Sequence, residues 1–138
     1  MSNFNQLKNA HVNIYGLMDE VLGELNDLDN NAVTIAKNIS KLAGILKIHL
    51  GNEDRYLYPS MINSGNDKLK KKAETYQNEM GDLNQAFMTF KDNYNTRGKL
   101  LSNKATAKAE ISKIFDIVSK RIEKEDHDLY PLAEKVMK

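Results

Sequence analysis

The 138-residue chain contains no cysteine, and only two prolines and seven glycines punctuate it. Without cysteine there is no disulfide framework, zinc knuckle, thiol nucleophile or thiolate cluster, an absence that fits a reducing compartment. An excess of charge is missing too. Lysine plus arginine number 20 against 19 acids, a formal net charge of +1, which gives no reason to expect a nucleic-acid or membrane partner. The one basic run, Lys68-Leu69-Lys70-Lys71-Lys72, reads as the solvated face of a helix. No apolar run approaches the roughly 20 residues that span a bilayer, and the N-terminus lacks the basic start and apolar stretch of a signal peptide. The expectation is a single cytoplasmic domain over residues 1–138, large enough to bury a core without staples.

What the chain does have is apolar residues at helical spacing almost throughout. One run is Phe4, Leu7, His11, Ile14, Met18, Val21 and Leu25; a second is Ile35, Ile39, Leu42, Leu46, His49, Glu53 and Tyr56. A third reads Leu69, Ala73, Tyr76, Met80, Leu83, Phe87, Phe90 and Tyr94. The fourth is Ala107, Ile111, Ile114, Val118, Arg121, Glu125, then Asp128 or Leu129, and Leu132. Each is the inward stripe of a bundle helix. Asp29-Asn30-Asn31 offers caps between the first two helices, and Pro59 is expected to open a turn-rich stretch before the third. Residues 93–103 separate the last two, with Ser102 or Asn103 able to cap the fourth. Short connections favour antiparallel neighbours, so the sequence predicts an all-α, up-down-up-down four-helix bundle.

Five residues in these stripes do not belong there on packing grounds: His11, His49, Glu53, Arg121 and Glu125. Burying an ionisable side chain costs several kcal/mol unless it is paired or bound to a metal. His49 and Glu53 lie ten and six residues before Pro59, and Arg121 and Glu125 lie ten and six before Pro131. At ~1.5 Å per residue, all five fall near one level and should converge at one end of the core. The four-residue step from His49 to Glu53 puts imidazole and carboxylate on one face, the way bundle-core metal sites are built. The alternative is a satisfied buried polar network, with Arg121 neutralising Glu53 and Glu125.

Residues 53–59 read Glu-Asp-Arg-Tyr-Leu-Tyr-Pro and residues 125–131 read Glu-Asp-His-Asp-Leu-Tyr-Pro, identical at five of seven positions. The second and fourth helices therefore play equivalent roles. His127, where the first copy has Arg55, falls outside the stripe and reads as a surface histidine.

The run from His49 to Pro59, HxxxED..LYP, resembles the second-helix motif of hemerythrin-like (HHE cation-binding) domains. His11 stands where such domains carry their first-helix histidine, and Glu125-Asp126 with Leu129-Tyr130-Pro131 is similar to the fourth-helix motif. The resemblance covers essentially the whole chain and implies a non-haem di-iron centre used to bind oxygen, to sense oxygen or iron, or to store metal. Two positions depart from that pattern. Arg121 stands where the fourth-helix histidine belongs, and the third helix has no histidine near Tyr76 and Gln77. Arginine cannot ligate a metal, so His11, His49, Glu53 and Glu125 remain as ligands, enough for one divalent ion, iron first, and not for two. Arg121 then supplies the positive charge of the missing second ion.

Two functions follow. One is a metal-binding protein for metal or oxygen sensing or storage; the other is a metal-free regulatory module that binds a protein partner, as the similar bundle of the regulator of sigma D anti-sigma family does. Nothing marks a nucleophile, phosphate loop or substrate pocket, so an enzyme is not expected.

Overall fold

The computed structural model describes residues 4–137, so the ends of the expected 1–138 domain lie outside the described residues. Among them there is no strand, and four helical arms form the whole. The first arm is α1 (Phe4–Glu24). After a 3-10 turn at Leu25–Asp27, the second runs through α2 (Leu28–Asn52), a π-helical turn at Glu53–Leu57, and α3 (Tyr58–Ile62). The third comprises α4 (Asp67–Met80) and α5 (Leu83–Tyr94). After α6 (Arg97–Ser102), the fourth runs through α7 (Lys104–Lys124), a π-helical turn at Glu125–Leu129, and α8 (Tyr130–Val136). α1 packs on α2 and α7, and α5 packs on the same two, giving the expected up-down-up-down ring. No helix among the described residues is long and apolar enough to cross a membrane.

The connections depart in detail from the sequence expectation. Asp29, Asn30 and Asn31 do not cap α2, which starts one residue earlier; they occupy its first turn. Asn31 instead donates to the Glu24 carbonyl at 3.1 Å and closes the end of α1. Residues 97–102 form a short helix rather than a plain loop, capped by Thr96. Asn103 does cap α7, accepting from the Thr106 N–H at 3.2 Å. Asn66 caps α4 through the Leu69 N–H at 3.0 Å, just after Gly65 turns the chain at φ +85°. The third arm is broken at Gly81-Asp82, where a continuous helix was expected.

The two prolines do not end their helices. Pro59 and Pro131 each sit in the first turn of a continuing α segment. Proline lacks an N–H and clashes with the carbonyl four residues back, here inside each π turn. The π turn absorbs the conflict by bonding five residues apart: the Tyr58 N–H reaches the Glu53 carbonyl, and the Tyr130 N–H reaches that of Glu125. The inserted residue shifts the phase of the stripe. Tyr56, expected inward, is 61 % exposed, while Tyr58 is buried. In the fourth arm the same slip buries Leu129 and Ala133 and leaves Asp128 and Leu132 half-buried.

The apolar core is in two parts. A long cluster from Ile14 and Leu46 through Phe87 to Ile122 fills most of the bundle. A smaller one, with Phe4, Tyr58, Met61, Leu69, Leu129 and Tyr130, closes one end. The expected polar residues form a layer between the two.

Candidate metal centre

All five predicted polar residues are buried and meet: His11, His49, Glu53, Arg121 and Glu125 range from 0 to 8 % exposed. α1 supplies His11, the end of α2 supplies His49, each π turn opens with a glutamate, and the last turn of α7 supplies Arg121. The layer has two halves that share the carboxylates. In one half the Nε2 atoms of His11 and His49 face each other at 2.9 Å. His11 Nε2 is 3.3 Å from Glu125 Oε1, and His49 Nε2 is 3.3 Å from Glu53 Oε2. One ligand atom from each of His11, His49, Glu53 and Glu125 lies within 4.8 Å of all the others.

The other half is filled by the guanidinium. Arg121 Nε donates to Glu125 Oε2 at 3.2 Å, and Nη2 donates to Glu53 Oε1 at 3.2 Å and Asp54 Oδ1 at 2.8 Å. Nη1 donates to the Met80 carbonyl at 3.2 Å, at the break of the third arm, and the group lies over the Tyr58 ring. Each glutamate thus offers one oxygen to the histidine half and the other to Arg121. Tyr76 and Gln77 of the third arm supply no ligand to the layer; Tyr76 donates to Asp128 outside it. His127 is exposed, as expected.

Four participants were not foreseen. Tyr58 donates to Glu125 Oε2 at 2.9 Å, and Tyr130 donates to Glu53 Oε2 and, at 3.3 Å, to Glu125 Oε1. On an unbroken α-helix Glu53 and Tyr58 would point about 140° apart; the π turns put each pair on one face. Asp54 grips Arg121, and Asp126 accepts from His11 Nδ1 at 2.8 Å. The doubled Glu-Asp…Leu-Tyr-Pro phrase contained all four, which was the available signal.

The electrostatics follow from this packing. Burial pulls the His11 pKa down, but the carboxylates of Glu125, Glu53 and Asp126 outweigh it and raise it to about 10. Burial raises the Glu53 carboxyl, yet hydrogen bonds to His11 and His49, with Arg121 nearby, hold it below its usual range. Burial and the neighbouring Glu53 charge push Glu125 up. Burial, then the carboxylates, push both tyrosines far above the phenol range, so their hydroxyls stay donors.

The donor set fits a metal cation. Asp126 Oδ1 accepts a hydrogen bond from His11 Nδ1–H, the second-layer contact that turns the Nε2 lone pair of a ligating histidine toward its metal. Two Nε2 atoms at 2.9 Å cannot both present lone pairs without a proton or a cation between them. Hemerythrin HHE cation binding domain is the family that matches, over residues 2–133. The chain belongs to that family. Comparison with curated proteins and with solved structures finds no match. In this hemerythrin-like domain the buried His/Glu group could hold a metal ion, and a guanidinium occupies the space on its far side.

Proposed function

We propose that this domain binds one divalent cation, iron by family resemblance, through His11, His49, Glu53 and Glu125, and that Arg121 permanently takes the place of a second. The observation that carries the reading is the division of each glutamate's oxygens between the histidine pair and the guanidinium. Two neutral histidines and two carboxylates balance one divalent charge. A second ion would have to displace Arg121 from three carboxylates. A bound iron would supply a Lewis-acidic, redox-active centre. Around it Asp126 orients His11, while Tyr58 and Tyr130 hold the carboxylates in place. The role is metal or oxygen sensing or storage in the cytoplasm, not catalysis.

One observation favours a second reading, a metal-free regulatory module that binds a protein partner. With His11 protonated, its Nδ1 donates to Asp126 and its Nε2 to the facing His49 Nε2, so the core closes without an ion. Titration of chelator-treated protein with ferrous or zinc ion separates the two. The metal reading predicts one site per chain, weakened at least about tenfold by His49→Ala, a lost ligand. No binding of any divalent ion would favour the regulatory module.

A further inference from the structure

The outer face of α1 and α2 carries apolar surface that the bundle does not use. Among the described residues six large apolar side chains are exposed, and Val12, Ile48 and Tyr56 lie on this face at 67, 68 and 61 %. Between the helices Leu17 and Ile45, with Val12, line a groove of about 540 Å³, which Glu20 and Lys41 flank. Toward Tyr56 a second groove continues the strip past Leu7. Glu20 and Lys41 are exposed, and neither has a hydrogen-bond or ion-pair partner among the described residues.

The heights of these residues are set by the site. α1 and α2 run antiparallel, and the contact of His11 with His49 fixes their relative level. Equal rise along both helices then puts Val12 level with Ile48, Gly16 level with Gly44, and Glu20 within one residue's rise, about 1.5 Å, of Lys41. A two-fold axis parallel to the bundle would lay α1 of one copy on α2 of another at equal heights. Each such contact would pair Val12 with Ile48 of the second copy and Glu20 with its Lys41, twice over. The face is acidic at this level on one helix and basic on the other, the pattern an isologous interface requires. Gly16 and Gly44 have open space around a built Cβ and let the two backbones approach at mid-interface. Two helices of this length present a strip about 30 Å long and about 20 Å wide, comparable to the roughly 800 Å² per partner of a standard interface.

We propose that the α1–α2 face binds a second copy of this chain as a two-fold dimer held by Val12–Ile48 and Glu20–Lys41 contacts. The contacts it names are all between surface residues, so it is independent of whether the core holds metal.

The test is the mass of the full chain by sedimentation equilibrium across low to high micromolar concentration. A monomer–dimer equilibrium is expected. Glu20→Lys and Lys41→Glu should each weaken it at least about tenfold by placing like charges together. Mixing the two variants restores both ion pairs, so a heterodimer should form. Gly16→Leu gives an independent readout: the monomer should melt higher, since nothing lies within 4 Å of a Cβ there and glycine disfavours helix, while dimerisation is lost. A monomer at all concentrations would overturn the proposal, as would a dimer that both charge reversals leave unchanged.

Discussion

Replacing Arg121 by alanine probes the core most severely. The side chain is 2 % exposed and donates to Glu53, Glu125, Asp54 and the Met80 carbonyl. Removal leaves two buried carboxylates, each 0 % exposed, without the guanidinium and with only His11 as a cationic neighbour, and a carbonyl without its donor. Breaking a buried ion pair from one side costs about 3–5 kcal/mol. Stability of a domain this size is about 5–15 kcal/mol in all, so the variant should lose at least about a fifth of it. The corresponding fall in Tm is about 10–20 °C. The assay is urea unfolding in chelator-containing buffer, where no cation can compensate. Adding ferrous or zinc ion should then restabilise Arg121→Ala more than the parent, because the vacated carboxylate oxygens can take a second ion. A metal-free loss below about 1 kcal/mol, the scale of an exposed pair, would refute the view that Arg121 is the resident charge of the layer. So would equal restabilisation of the two proteins by metal.

Three further outcomes are expected. Tyr130→Phe removes a hydroxyl donated to both buried glutamates and should cost about 1.5–3 kcal/mol in denaturant unfolding; Tyr58→Phe, with one such bond, should cost less. His11 is raised to about 10, so its charged form stabilises the metal-free fold fully below its unfolded value of about 6.5 and progressively less as pH rises through 10. Metal must displace that proton, so binding near pH 7.5 should release about one proton, read by calorimetry in buffers of different ionisation enthalpy. Gly81→Ala should destabilise by about 1–3 kcal/mol, because a Cβ there lies 2.5 Å from the Gln77 carbonyl oxygen; a melting curve identical to the parent would contradict this.

The bundle itself was legible because apolar steps of three and four recur through four long segments and leave little else to decide. The convergence of His11, His49, Glu53, Arg121 and Glu125 was legible for a different reason: charges in an apolar stripe need each other, and their distances from the two prolines fix their height. The phase slip was not. A period of 3.6 carried past Glu53 points Tyr56 inward, whereas the π turn before Pro59 buries Tyr58 instead. Asp54 and Asp126 escaped because their backbone positions lie off the stripe and only the side chains reach in. The break at Gly81 was hidden because a lone glycine inside a helical pattern is ordinarily tolerated; only its crowding against the Gln77 carbonyl reveals it.

The most direct test is the metal content of the full chain, purified without added metal or chelator and then loaded with excess ferrous ion under anaerobic conditions. Elemental analysis should give no more than one iron per chain, with the visible absorption of an oxo-bridged pair absent after exposure to air. Changing Gln77→His together with Arg121→His should raise the content toward two. Two tightly held irons in the unaltered chain would contradict the role assigned to Arg121.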